Sequence, residues 1–130
     1  MNTYFPSLHF NSADSYVVSG LTTYYFATQN ENPAFTVPGI SLSFQVTPDA
    51  GETIADVRSA LIYYNNISID GYPSVEFNYN IAGYGQLTAE TIAYGYLYTI
   101  TGEASGSSYI TELNSSFPAM VHSLDLSYLS

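Results

Sequence analysis

The chain has 130 residues, no cysteine, no lysine and one arginine, Arg58, against eleven carboxylates, giving a formal net charge of −10 at pH 7. Only 9% of residues carry charge, while 46% are hydrophobic and fourteen are tyrosine, so Ser, Thr, Asn, Gln and tyrosine hydroxyls must wet the surface. These values exclude disulfides and thiol chemistry, and they disfavour phosphate-bearing partners, nucleic acid and anionic lipid alike.

The length predicts one domain spanning residues 1–130. Such a chain buries roughly two-thirds of its unfolded surface, enough for a core without staples. No apolar run approaches the roughly 20 residues needed to span a bilayer. The start, Met1 to Pro6, has neither the basic region nor the apolar stretch of a signal peptide, so export by that route is not expected.

In chain order, Tyr4–Phe10 and Ser15–Ala27 are weak strand candidates. Turn residues follow at Asn30–Pro33 and Val37–Gly39. Ile40, Leu42, Phe44 and Val46 then alternate with Ser41, Ser43 and Gln45, the period of a half-buried strand. Residues 49–61 are ambiguous. Asp49 with Glu52 offers a helix N-cap, but Gly51 and the β-branched Thr53, Ile54 and Val57 favour a loop with at most one helical turn. That loop would lead into a strand turning Ala60, Ile62 and Tyr64 inward.

After the turn at Asp70–Pro73, Val75, Phe77, Tyr79 and Ile81 alternate with Glu76, Asn78 and Asn80. Gly83–Gly85 is a further turn. Ile92, Tyr94, Tyr96, Tyr98 and Ile100 form a one-face ladder, and Gly102–Ser108 is a Ser/Gly-rich loop. Tyr109–Leu113 is a weak strand, and Met120, His122, Leu124, Leu126 and Tyr128 alternate once more. About eight short strands with no βαβ spacing predict an all-β fold, a single antiparallel β-sandwich of jelly-roll type or, alternatively, a closed β-barrel.

No motif marks a catalytic site: there is no G-x-S-x-G, Walker loop or H-E-x-x-H. His9 and His122 would approach one another if the terminal strands pair, but no third metal ligand is identifiable. Asp49, Glu52 and Asp56 lack calcium-loop spacing and read as a solvated loop. Glu76 and Glu90 offer the paired carboxylates of a glycosidase only if they stand about 5 to 10 Å apart across a sugar. A barrel enclosing an apolar ligand is another use of such a fold. No cofactor, metal or enzymatic activity is expected.

Tyrosine is the surplus. Tyr24 and Tyr25, Tyr63 and Tyr64, together with Tyr72, are the candidate interface residues. A tyrosine buries its ring at a contact and still donates a hydrogen bond, and adjacent strand residues point to opposite faces. Asn66-Ile67-Ser68 and Asn114-Ser115-Ser116 match the glycosylation acceptor pattern, making Asn66 and Asn114 candidate acceptors in expected loops.

Few lysines, abundant Tyr, Ser, Thr and Asn, and strand-rich sequence together resemble the coat and accessory virion proteins of viruses infecting acidophilic archaea. The resemblance implies a structural role in a particle, as a capsid, vertex, cement or spike component bound to copies of itself and to other virion proteins. It also implies a place in the virion, made in the host cytoplasm and exposed after release. A carbohydrate-binding or host-adhesion module is the competing expectation, with glycans as partners. The missing lysines have a further consequence. Near pH 3 the carboxylates are mostly neutral, and only Arg58, two histidines and the N-terminus stay charged. The far-ultraviolet circular dichroism of the folded chain is therefore expected to persist down to pH 3; its loss above pH 3 contradicts this.

Overall fold

The structure, a computed structural model, describes residues 9–10, 16–18, 21–27 and 38–126. In chain order the elements are β1 (His9–Phe10), β2 (Tyr16–Val18), β3 (Leu21–Ala27), β4 (Gly39–Pro48), α1 (Ile54–Ser59), β5 (Asn65–Ile69), β6 (Tyr72–Ile81), β7 (Tyr84–Ala93), β8 (Tyr96–Ser105) and α2 (Ser107–His122). The strands form one antiparallel sheet in the order β1-β3-β4-β8-β7-β6-β5, with β2 also paired to β3.

This overturns both the jelly-roll sandwich and the closed barrel. The sheet is single and open, with β5 at one margin, and its second layer is a helix. The misleading segment was the C-terminal one. Residues 109–113 and 120–126 alternate on paper, yet Leu113, Phe117, Met120 and Val121 recur at the spacing of one helical face, and all four are buried. Ser, Thr, Asn and Pro118 give α2 little intrinsic helix propensity, so burial of that stripe must sustain it.

Four strands follow one another as a meander through two-residue turns. Asp70–Gly71 and Tyr94–Gly95 both have positive φ at each central residue (52° and 80°, 54° and 79°), the geometry whose twist matches paired strands. The Tyr94–Gly95 turn breaks the expected ladder from Ile92 to Ile100. Ile92 pairs with Leu97 and Ala89 with Ile100, so Ile92 and Ile100 face opposite ways. Gly102 lies in β8, not in a loop.

The inner face carries Ile40, Leu42, Phe44 and Val46 of β4, Tyr98, Ile100 and Ala104 of β8, and Leu87, Ala89 and Ala93 of β7, all in one core with the α2 stripe. Gly102 sits beneath the helix. A methyl group there would stand 2.6 Å from Leu113 Cδ1 and 3.0 Å from Phe117 Cδ2. Buried hydroxyls on this face are satisfied locally, with Ser74 Oγ donating to Tyr72 O at 2.8 Å and Thr91 Oγ1 to Pro73 O at 3.3 Å.

The chain leaving α2 is tied back across the sheet. Leu126 N donates to Asp70 Oδ2 at 3.2 Å, and Tyr98 Oη donates to Leu126 O at 3.4 Å. The ambiguous 49–61 segment resolves as α1. Thr53 is its N-cap, with a reciprocal capping box to Asp56. The expected inward strand through Ala60, Ile62 and Tyr64 does not form; all three are exposed.

Val75, Phe77, Tyr79 and Ile81 do alternate with polar residues, but they point away from α2, since Val75 pairs with Glu90 and Glu76 with the core residue Ala89. Only Val75 is fully buried; exposure reaches 54% at Tyr79. Among the described residues no helix is long and apolar enough to cross a membrane.

Gly102→Ala is expected to destabilise the fold by about 1–3 kcal/mol through overpacking. Phe117→Ala, which empties a fully buried site, is expected to cost about 3–5 kcal/mol. Urea denaturation measures both.

Candidate functional site

The β5 margin is where the structure gathers exposed apolar, aromatic and amide groups. Among the described residues β5 pairs only with β6. Because a two-residue turn closes this hairpin, Ile69 and Tyr72 form a hydrogen-bonded pair, and such pairs alternate along the ladder. Ile67 with Ser74 and Asn65 with Glu76 are then bonded inward, while Asn66 and Ser68 turn their N–H and C=O outward. Two features agree with this phase. Pro73, which has no N–H, sits opposite Ser68, and Ser68 O lies 3.4 Å from His122 Nδ1.

Just before this strand, Ile62 is 87% exposed, Tyr63 85% and Tyr64 38%. No charged residue lies between Arg58 and Asp70. The bend containing these side chains borders a cavity of about 370 Å³ lined by Ile62, Tyr63, Tyr64, Asn65, Glu76, Phe77, Asn78 and Leu87. Glu76 stands cross-strand from Asn65. Burial pushes its carboxyl above the ordinary value of 4.5. Among the described residues the Glu76 carboxylate has no hydrogen-bond or ion-pair partner. The chemistry available is that of aromatic faces, amides and one acceptor-only carboxylate.

The expected site residues fall in different places. Tyr63 and Tyr64 meet in this region. Tyr72 is half-buried on the inner face, its ring 5.5 Å from that of Tyr94, against the core. Tyr24 and Tyr25 occupy register positions opposite Phe44 and Ser43, hence on opposite faces of β3; their side chains lie outside the described residues. Asn66 is exposed on β5 and Asn114 is exposed midway along α2, so neither is in a loop.

The other candidates separate. β1, which carries His9, is at the margin opposite β5, where His122 is found, so the two histidines belong to different ends of the sheet. Glu76 pairs with Ala89 and Glu90 with Val75, which places the two carboxylates on opposite faces, unable to flank one sugar. Burial, then the charge of Glu52, raises the Glu90 carboxyl. Asp49 and Asp56 serve the backbone: Asp49 Oδ1 accepts from Glu52 N at 2.9 Å, and Asp56 Oδ2 accepts from Thr53 N at 2.8 Å. Among the described residues no three His, Asp or Glu side chains group as a metal site. Tyr84 is pushed up to about 12 by burial and by Glu103, so its hydroxyl stays protonated.

Ile62, Asn65 and Asn78 were not singled out by sequence, because a run of Ile and Tyr reads as an inward strand. Its lack of charge did not mark it either, because longer stretches such as 77–89 and 91–102 are uncharged as well. Comparison with known protein families, with curated proteins and with solved structures found no match to this chain.

The Glu76 shift fixes a sign. Its carboxyl titrates higher folded than unfolded, so its contribution favours folding most below about pH 4.5 and is lost as pH rises through the folded value. Glu76→Gln is therefore expected to raise the thermal midpoint at pH 7 and leave it unchanged at pH 3. A lower midpoint at pH 7 would mean that the carboxylate is held by a favourable contact.

Proposed function

We propose that this chain is a non-catalytic structural component of a virus particle, joined to copies of itself and to other virion proteins through tyrosine-rich contacts. The observation that carries this reading is the exposure of Ile62 and Tyr63, 87% and 85%, side by side on an uncharged stretch. Large apolar side chains grouped on a surface mark a contact site more often than a solvated one. Tyrosine suits that role because its ring desolvates at low entropic cost and its hydroxyl is readily satisfied. The acidity supports an outward position in a particle, since a genome-facing protein needs positive charge. The low charge density supports work in acid, as does the upward shift of Glu76 and Glu90, whose contributions to stability grow as pH falls.

The cavity favours a second reading, a glycan-binding or host-adhesion module. Aromatic faces of Tyr63 and Tyr64 beside the amides of Asn65 and Asn78 are the groups that stack on and hydrogen-bond to sugars. Light scattering at pH 3 and pH 7 separates the two. Assemblies larger than one chain, weakened by Tyr63→Ser, are expected for the particle component. A monomer at both pH values that binds neutral oligosaccharides in a glycan titration, with binding lost on Tyr64→Ala, would replace it with the adhesion module.

A further inference from the structure

We infer that β5 is a self-pairing edge: two copies join antiparallel, β5 against β5, about a two-fold axis at Asn66, extending one sheet into the next. The inference rests on the reading above that this chain assembles with itself, and it names the surface and the partner.

β5 carries the donors and acceptors for such a pairing. By the ladder phase, Asn66 directs both its N–H and its C=O away from β6. At a two-fold centred there, each Asn66 donates to and accepts from the other, so the partner is complementary because it is identical. The same register sets Tyr64 against Ser68 of the second copy, and Asn65 against Ile67. The ladder stops near Ser68, where His122 Nδ1 already approaches the carbonyl at 3.4 Å.

Symmetry and charge together select a second copy as the occupant. The two-fold edge is complementary to its own copy, and in a chain at −10 the stretch between Arg58 and Asp70 carries no carboxylate to oppose a like-charged copy, the nearest being Glu76 one strand inward. In the proposed register the two Asp70 carboxylates stand eight strand residues apart, about 27 Å. That exceeds the roughly 8 Å screening length at physiological ionic strength. A cationic partner would find nothing to pair with on this strip. Edge strands in soluble proteins are ordinarily protected by lysine, proline or a bulge. Asn65–Ile69 has none of these, and this chain has no lysine to place there.

The test is light scattering across a concentration series on the full chain and three variants. Asn66→Pro removes an outward N–H that β6 does not use, and proline is tolerated on such edges. It is expected to weaken the dimer by about 25-fold, for two lost hydrogen bonds of about fivefold each. Asn66→Asp faces two carboxylates across the axis. It is expected to be monomeric at pH 7 and dimeric again at pH 3, where the carboxyls are neutral. That reversal keeps the test decisive even if Asn66→Pro fails to fold.

Tyr63→Ser, which leaves the ladder intact, is the control. If Tyr63→Ser dissociates the chains while both Asn66 variants stay associated at pH 7, the edge pairing is overturned and assembly through tyrosine stands. A wild-type monomer at every concentration overturns both.

Discussion

The rest of the structure depends on how closely α2 approaches the sheet. Gly102 lies at the point of contact, with Leu42, Leu113 and Phe117 all within about a methyl's reach of its missing side chain. A helix seated there covers β4, β8 and β7 at once and reaches β5. One sheet and one helix then enclose a core, and no second sheet is needed. Helical propensity is not what holds α2; the stripe from Leu113 to Val121 is stable as a helix because the inner face of the sheet gives it somewhere to be buried. The ties from Leu126 to Asp70 and Tyr98 extend that packing across the end of the sheet and fix the β5–β6 hairpin to the same unit.

Placing the helix there also decides what remains exposed. Beyond its reach β6 carries Asn78 and Asn80 in the open on the inner side, with Tyr79 and Ile81 on the other. The chain crosses from β4 to the far margin through α1, and the bend that follows presents Ile62 and Tyr63. Core packing and surface chemistry are thus two consequences of one seating. The margin that α2 leaves open carries no charged residue between Arg58 and Asp70, and it is there that Ile62 and Tyr63 stand exposed.

The electrostatics run in one direction. Every resolved shift among the described groups is upward, at Glu76, Tyr84, Glu90 and Tyr94, with burial or a neighbouring acid or hydroxyl as the cause. For Glu76 and Glu90 this means that acid relieves the fold instead of straining it. A chain with one arginine has almost no cations with which to pull carboxylates down, so this behaviour follows from composition as much as from geometry.

Several local features were readable without coordinates. The β4 alternation from Ile40 to Val46 names its buried face correctly, and Asp70–Gly71 turns where an Asp-Gly pair should, because both depend on neighbours in the chain. The Thr53–Asp56 capping box was not read from sequence, where Asp49 with Glu52 was the cap on offer and a loop was favoured over it. Layering was not readable. Whether Val75 to Ile81 faces a core or solvent, whether Tyr94 continues a strand or turns it, and whether residues 107–122 are strand or helix depend on what packs against them. Periodicity reports that a segment has two faces; only tertiary contact decides which face is buried and against what. Composition by itself determined the acidic, lysine-free, tyrosine-wetted surface, because charge and hydroxyl content belong to residues whatever their fold. The sheet order, the helix over Gly102 and the open β5 margin were decided in three dimensions, because each depends on the burial free energy of groups far apart in the chain.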